Sequence, residues 1–296
     1  MNLIEMSNPV SSMQHSKKGN SSWIAWLGLL PFFIFGLAFE LLPLLTTIRS
    51  SLTSKGQFTF EFYRQAMDPL FLRSFVNTIR LSTNTAFLGV VFGTIVAYAI
   101  ITTRNKFLQN VLIALADVST NFGGAPLAFA FIVILGSTGV ITLLLQEIGI
   151  HLYPNFRIYS ISGLTIAYLY FQLPLMILLI IPSLLGLKRE WHEAALNLGA
   201  STFQYWIRVA LPILLPSLLS GFLLLFANSF GAYATAWTLT GSDVDLITIR
   251  IAALIRGEVQ LAPELADALS IISLLIMLVC VIGYTLLSNR TRRGKA

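Results

Sequence analysis

Six long intervals without basic residues, and almost without acidic ones, dominate this sequence of 296 residues. They cover residues 19–48, 81–103, 118–146, 158–187, 209–242 and 268–289, and Glu40 is the single charged residue within them. Each interval exceeds the roughly 20 residues that a helix needs to cross the hydrocarbon core of a bilayer. Because lipid cannot satisfy backbone polar groups, such segments are helices or a closed barrel, and a barrel would show alternating segments of about 10 residues.

The composition agrees with a chain that crosses the membrane several times. Only 11% of the residues are charged, against about 25% in soluble domains. We therefore predict an all-α integral membrane protein with six transmembrane helices. The predicted spans are about 23–49, 75–103, 111–146, 160–187, 210–239 and 264–288. They form one six-span domain, 23–290, between an N-terminal tail, 1–22, and a basic C-terminal tail, 291–296.

The placement of Lys and Arg predicts the orientation of the chain. With the N-terminus inside, the inner segments carry 11 of the 19 basic residues, and the outer segments carry most of the acidic ones. The positive-inside rule then places both termini, and the segment between spans four and five, in the cytoplasm. The excess of Lys and Arg in the cytoplasmic segments accounts for the net charge of +6. No basic cluster beside aromatic residues points to nucleic acid.

Two outer segments are expected to form short helices at the membrane surface. Residues 51–74 carry several aromatic side chains, which favour an interfacial helix. Residues 241–267 contain an apolar stretch that is too short and too charged to cross, which favours an interfacial or re-entrant helix.

Motifs for common enzyme chemistry are missing from the sequence. No G-x-x-x-x-G-K-[ST] loop occurs, so the chain cannot bind ATP in the P-loop manner. Its three histidines lie far apart at spacings that do not suit a metal, and Cys280 is the only cysteine. The sequence therefore predicts neither an enzyme nor a cofactor or metal held by this chain.

The segment between spans four and five is unusual because it carries helix signals outside the membrane. Trp191, Ala194, Ala195 and Leu198 recur at helical spacing, and Gly199 suits the left-handed conformation that ends a helix. Residues 201–204, Ser-Thr-Phe-Gln, fit a capping box, so a second helix is expected to begin at about Thr202. The predicted result is a helix, a sharp turn and a helix. An amphipathic helix lying on the bilayer is the alternative.

The same segment resembles the EAA loop of ABC-importer permeases. The resemblance rests on residues that stand at the family's spacing: Glu193, Ala194, Ala195, Gly199, Leu211 and Pro212. Val209 departs from the isoleucine that is usual in the family, which is a conservative change. A wider similarity covers about residues 74–290, and the chain looks most like permeases of the spermidine/putrescine type and their relatives.

The resemblance implies a mechanism and a set of partners. The fold would be that of a type I ABC importer permease, and the loop would be a coupling helix that docks on a dimer of ATPase subunits. Those subunits would bind ATP and Mg²⁺, and a second permease chain, identical or related, would complete the translocation path. An extracytoplasmic substrate-binding protein would deliver the solute. The location implied is the cytoplasmic (inner) membrane of a bacterium, and acids in the outer segments favour a polyamine or related substrate.

Polar residues inside the spans are candidates for lining the path. We single out Glu40, Asp117, Tyr170, Gln172, Asn228, Ser229 and Tyr233. Ionisable residues within a bilayer are costly and are therefore functional candidates. Each residue has an alternative role, however, because small polar side chains also hold helices together and charged ones lie at interfaces.

Two other functions are compatible with six spans. A self-contained secondary transporter would normally show inverted repeats, and none is evident in this chain. A non-enzymatic membrane scaffold subunit is the second alternative.

Overall fold

The structure, a computed structural model, describes residues 22–258 and 261–293. Apart from Ser22, the predicted N-terminal tail, 1–22, lies outside the described residues, as do the last three residues of the C-terminal tail, 291–296. The described residues fall into two compact units, one that ends at Arg49 and one that begins at Ser50.

The described chain is predominantly helical. Its helices are α1 (Ser22–Gly36), α2 (Leu42–Ser51), α3 (Glu61–Gln65), α4 (Pro69–Thr102), α5 (Lys106–Thr120), α6 (Gly124–Leu135), α7 (Val140–Glu147), α8 (Ile161–Leu185), α9 (Arg189–Asn197), α10 (Thr202–Tyr205), α11 (Leu211–Phe230), α12 (Ala234–Thr240), α13 (Ile247–Arg256) and α14 (Pro263–Arg293). Two short antiparallel strands, β1 (Thr53–Ser54) and β2 (Gln57–Phe58), form a hairpin between α2 and α3.

The six-span helical architecture predicted from the sequence is confirmed. Within the described ranges, six helical stretches are long and apolar enough to cross a membrane: Gly28–Ser51, Pro69–Thr102, Gly124–Glu147, Ile161–Leu185, Thr202–Gly231 and Pro263–Leu287. The second begins at residue 69, six residues before the predicted start of that span at 75, because Asp68 caps α4. Its side chain accepts a hydrogen bond from the Leu70 N–H at 2.8 Å.

The stretch 111–146, treated above as one span, is divided into three helices. α5 ends at Thr120, and α6 begins at Gly124, whose φ of +71° is a backbone conformation that side-chain-bearing residues rarely adopt. A second break at residues 136–139 separates α6 from α7. The fifth span, predicted at 210–239, is interrupted too, because α11 ends at Phe230 and α12 starts at Ala234.

Two π turns each come directly before a leucine–proline pair. Residues Leu37–Leu41 form one, and Trp206–Ala210 form the other. In each, the N–H of the leucine reaches back five residues, from Leu42 to the Leu37 carbonyl and from Leu211 to the Trp206 carbonyl. A proline has no N–H, and its ring collides with the carbonyl four residues earlier in an α-helix. The wider turn makes room for the proline without ending the helix.

The centre of the larger unit is packed from α4, α8 and α11 through small residues. A Cβ added to Gly93 of α4 would come within 2.7 Å of the Met176 Cβ on α8. A Cβ on Gly221 of α11 would come within 2.7 Å of the Met176 Sδ. These glycines let the three helices approach closely, which is how membrane helices gain van der Waals contact.

Hydrogen bonds between helices add to this packing. Gln172 Nε2 donates to the Leu225 carbonyl at 2.8 Å, and the Thr85 and Ser229 hydroxyl oxygens lie 2.9 Å apart. Ser183 donates to Ser217 at 2.8 Å. Because the apolar phase offers no water, each bond satisfies groups that would otherwise be unpaired.

The predicted outer helix within 241–267 is α13, and it packs into the protein. Its residues Ile247, Ile249, Ala253 and Leu254 are buried. The Ile247 N–H donates to the Thr78 hydroxyl of α4 at 2.9 Å. In the 51–74 region the helix is only the five-residue α3, and the hairpin before it was not anticipated.

Candidate functional site

A cavity of about 640 Å³ lies where the break between α5 and α6 meets the break between α11 and α12. Its lining comes from residues 120, 121, 123 and 124, residues 227, 228 and 231–235, and Phe171 of α8. The two breaks are joined directly, because the Gly124 N–H donates to the Thr235 hydroxyl at 2.9 Å. Interrupted helices expose backbone groups and polar side chains at this point, which a continuous apolar span does not offer.

The cavity lies about halfway through the spans. Thr85, halfway along the 34-residue α4, is hydrogen-bonded to Ser229, and the next residue on α11, Asn228, lines the cavity. Gln172, near the middle of the 25-residue α8, follows the lining residue Phe171. The cavity is therefore at mid-depth of the apolar layer rather than at a surface.

Of the seven polar candidates, Asn228 and Tyr233 line the cavity. Tyr170 is 40% exposed, and its ring centroid lies 6.0 Å from that of Phe122 and 6.1 Å from that of Phe131. It therefore packs against the residues that follow the first break.

Gln172 and Ser229 are buried between helices. Gln172 is 0% exposed and Ser229 is 2% exposed. Their hydrogen bonds to Leu225 and Thr85 fasten α8, α11 and α4 to one another. The Gln172 Oε1 and the Tyr233 hydroxyl are buried without a hydrogen-bond partner among the described residues.

The two carboxylates among the candidates are both exposed. Glu40 lies in the first π turn, within the smaller unit. Asp117 lies on α5, one turn before the cavity residue Asn121. Its backbone carbonyl accepts hydrogen bonds from the Thr120 hydroxyl at 2.6 Å and from Asn121 Nδ2 at 3.1 Å.

Arg256 was not among the sequence-based candidates but lies beside the cavity. Its guanidinium carbon is 5.7 Å from the ring centroid of Tyr233 and 5.4 Å from that of Trp237. Its Nη1 is 3.5 Å from the Glu258 Oε1. The cation thus rests on two stacked aromatic rings and shares its charge with a carboxylate. No local signal predicts the contacts with the two rings, because Tyr233 and Trp237 lie in and beside α12 whereas Arg256 ends α13.

A second candidate site is the helix–turn–helix of residues 189–205, which we call the knob. The prediction that Gly199 ends a helix in the left-handed conformation is confirmed, with a φ of +78°. The Ala200 N–H donates to the Ala195 carbonyl at 3.0 Å and the Gly199 N–H to the Leu196 carbonyl at 2.9 Å. These two bonds make up a Schellman motif, which closes α9.

The predicted capping box opens the next helix. The Gln204 N–H donates to the Ser201 hydroxyl at 3.2 Å, and the Ser201 N–H donates to the Gln204 Oε1 at 2.8 Å. α10 therefore starts at Thr202, as predicted. The knob thus has a fixed shape, set by local signals on both sides of the turn.

Aromatic contacts hold the knob to the spans. The ring centroids of His192 on α9 and Tyr205 on α10 are 4.7 Å apart, and Tyr205 is buried. The Trp206 ring meets that of Tyr98, near the end of α4, edge to face at 4.9 Å. The knob is therefore connected to α4 as well as to α11, into which it continues through Leu211 and Pro212.

The exposed surface of the knob carries large apolar side chains together with the carboxylates of Glu190 and Glu193. Leu198 is 89% exposed and Phe203 is 73% exposed. Ala194 is exposed and Ala195 half-buried, beside Glu193. The Glu193 Oε1 pairs with Arg189 Nε at 2.8 Å, with both side chains largely exposed. Large apolar side chains presented in this way mark an interaction surface.

The chain is similar in sequence to permeases of known transport systems. It is 30% identical over 184 residues to the chloroplastic sulfate permease 2 of Chlamydomonas reinhardtii, covering 62% of this chain and 48% of that protein. It is 26% identical to a probable sulfate transport system permease protein of Helicosporidium sp., covering 60% of this chain and 64% of that one. The chain thus spans less than two thirds of the length of these two relatives.

A third relative is the spermidine/putrescine transport system permease protein PotB of Haemophilus influenzae. It is 28% identical over 222 residues, which cover 73% of this chain and 77% of PotB.

Two solved structures share the fold. A chain of a bacterial ABC transporter that imports the acidic polysaccharide alginate superposes with a TM-score of 0.67 at 18% identity, covering 92% of this chain and 96% of that one. A chain of the methionine ABC transporter MetNI gives 0.54 at 16% identity, covering 77% and 96%.

A family model matches residues 89–293, more than half of the chain. The family consists of permease components of transport systems rather than enzymes. The six apolar helices of this chain make it a multi-pass membrane protein. The protein belongs to the family of binding-protein-dependent transport system inner membrane components, the permeases of ABC importers.

Proposed function

We propose that this chain forms half of the path through an ATP-driven importer and moves a small solute by alternating access. The mid-depth cavity supports this proposal, because two helix breaks meet there around Asn121 and Asn228. The proposed path region also contains Tyr170, Gln172, Ser229 and Tyr233. Gln172 and Ser229 hold together the helices that form its wall.

The observation that carries the proposal is the surface of the knob. Glu193, Ala194 and Ala195 lie beside the exposed Leu198, and Gly199 sets the turn. Small side chains let a partner approach closely, and the carboxylate offers one strong acceptor to a basic residue or a backbone N–H. Because Trp206, the residue directly after the knob, touches Tyr98 near the end of α4, a push on the knob acts on two spans at once.

The partners follow from the same proposal. Two ATPase subunits, which bind ATP and Mg²⁺, dock on the knobs of this chain and of a second permease chain. An extracytoplasmic binding protein delivers the solute to the opposite end. Both termini and the knob are then cytoplasmic, and we assign the assembly to the cytoplasmic membrane of a bacterium.

We extend the proposal to a polyamine or related small cation as the solute. Acidic residues in the outer segments favour a cation, and a spermidine/putrescine permease is among the relatives. Sulfate permeases are relatives too. The binding protein encoded beside this permease is titrated by calorimetry, once with putrescine and once with sulfate. The result decides whether the solute is a cation or an anion. Binding of sulfate alone contradicts the polyamine assignment.

The coupling role is tested by replacing Glu193 with glutamine. Because the carboxylate is the strong acceptor for the ATPase, we expect weaker co-purification of the ATPase and at least a tenfold loss of ATP hydrolysis stimulated by the binding protein. Insertion of the permease into the membrane is expected to be unchanged.

Arg189→Ala is the matched control, because it removes the same ion pair and keeps the carboxylate. The pair is exposed and four residues apart on one helix, an arrangement that contributes about 0.5 kcal/mol or less. Coupling in this variant should stay near that of the unchanged protein. Equal losses in the two variants, or none in either, would show that Glu193 does not contact the ATPase.

A further inference from the structure

α5 carries three polar residues and one alanine along a single face, an arrangement that the packing between helices described above does not explain. Asn110, Ala114, Asp117 and Asn121 follow one another at steps of four, three and four residues, so they lie on one face of the helix. All four residues are exposed. We call them the α5 polar stripe. It runs from near the start of α5 to the mid-depth cavity, which Asn121 lines.

The neighbouring exposed face of α5 is entirely different. Phe107 is 77% exposed, Leu115 is 56% exposed and Val118 is 70% exposed, and their positions form the face that suits lipid. The polar residues are therefore confined to one side of the exposed surface. A helix that met lipid all along this surface would not confine its amides and its carboxylate in this way.

Asp117 lies one turn before the cavity residue Asn121, away from the charged start of α5. It lies eleven residues after Lys106, which is about 16 Å along the helix axis. At this depth a carboxylate facing lipid is strongly disfavoured, and ionisable residues there face water-filled cavities or partners. Among the described residues, no hydrogen bond or ion pair involves its carboxylate oxygens.

The positive charge beside the cavity residue Tyr233 is already engaged. Arg256 lies over the rings of Tyr233 and Trp237, with Glu258 beside it.

The α5 polar stripe, by contrast, presents the Asp117 carboxylate and two neutral amides along an exposed surface. Lys106, four residues before Asn110, places a positive charge only at the far end of the same face, about 16 Å from Asp117 along the axis. Its electrostatic preference is for a cation.

We propose that the α5 polar stripe lines a water-filled half-path between the cavity and the start of α5, and that Asp117 makes this half-path selective for an organic cation. This inference rests on the proposed function, in which the cavity belongs to the translocation path. In the proposed orientation the half-path opens to the cytoplasm. Asp117 is then a specificity-determining residue that meets the solute after it leaves the cavity.

The test uses the full transporter, the permease with its ATPase and binding protein, in proteoliposomes. Cys280→Ala removes the only cysteine of this chain, and Asn110→Cys or Asn121→Cys then places a single thiol on the stripe. Val118→Cys, three residues before Asn121, is the control on the apolar face and is matched in depth to Asn121→Cys. Modification of the permease is followed with a cationic thiosulfonate, the trimethylammonium-ethyl reagent, and an anionic one, the sulfonatoethyl reagent.

We expect both stripe variants to react at least tenfold faster than V118C, because the thiolate forms only in contact with water. The cationic reagent should be favoured in N121C, since Asp117 is about 6 Å away on the next turn. Adding Asp117→Asn should lower the ratio of cationic to anionic rates on the order of tenfold.

Stripe variants as unreactive as V118C would refute the half-path, since the stripe then faces lipid or a closed protein interface. Reactive variants whose rate ratio is unchanged by D117N would refute the charge selectivity. ATP hydrolysis stimulated by the binding protein is measured in the same vesicles. Its absence from the Cys280→Ala parent contradicts the proposed function itself, whatever the reagents show.

Discussion

Gly199 is the residue whose replacement tests the shape of the knob most cleanly. Its φ is +78°, and a Cβ built on it meets nothing within 4 Å. The effect of a side chain here is therefore conformational, with no steric clash to add to it. The series Gly199→Asn, Gly199→Ala and Gly199→Val raises the conformational cost step by step without touching Glu193.

The magnitude follows from the left-handed conformation. An ordinary L-residue loses about 1–2 kcal/mol there, asparagine loses less, and a β-branched residue loses most. A change of one or two kcal/mol alters an equilibrium by a factor of about 5–30. Because the ATPase binds only the correctly turned knob in our proposal, the alanine variant should bind up to that factor more weakly.

The assay is titration of the solubilised permease with its ATPase, together with hydrolysis stimulated by the binding protein. Affinity is expected to fall in the order glycine, asparagine, alanine, valine. An asparagine variant as weak as the valine variant, or an alanine variant as strong as the unchanged protein, would refute the link between this turn and docking.

Two further predictions concern the packing of the spans. Gly93→Leu should lower the stability of the solubilised protein by about 1–3 kcal/mol, because the new side chain would collide with Met176. The control is Gly36→Leu, where a Cβ meets nothing within 4 Å. This control should have little effect on the thermal unfolding midpoint, by which both variants are measured. Thr85→Val should cost about 0.6–1.7 kcal/mol by leaving the Ser229 hydroxyl unpaired. Adding Ser229→Ala should recover part of that loss, and a further loss in the double variant would contradict the bond's role.

The knob and the number of spans were readable from the sequence because their signals are local. Gly199 and the pair Ser201 and Gln204 act through backbone groups within a few residues, so the turn does not depend on distant packing. The apolar intervals are equally local, since each must satisfy its own backbone in lipid.

The arrangement of polar groups inside the spans was not readable in the same way. Gln172 and Asn228 are both amides within apolar stretches, yet one bonds to the Leu225 carbonyl and the other lines the cavity. Which role a side chain takes depends on the rotation of its helix against neighbours far away in the chain. The Arg256 contacts and the packing of α13 against α4 are non-local for the same reason.

The break after Thr120 was only partly predictable from the sequence. Residues 121–124, Asn-Phe-Gly-Gly, weaken a helix, and a polar patch is visible there in the sequence. The patch does not reveal that the two sides are separate helices, because the backbone at Gly124 is held by Thr235, over a hundred residues later.

The π turn at Trp206–Ala210 holds one residue more than an α-helical turn would. This extra residue determines the direction in which each side chain of α11 points around the helix axis. One residue corresponds to about 100° of rotation. Removing Val209 would take away the wider turn that accommodates Pro212, and a regular helix in its place would turn α11 by that angle relative to the knob. Asn228 would then swing away from the cavity and Ser229 away from Thr85. The single extra residue therefore sets how α11, which reaches the cavity, is rotated about its axis relative to the knob, on which the ATPase is proposed to act.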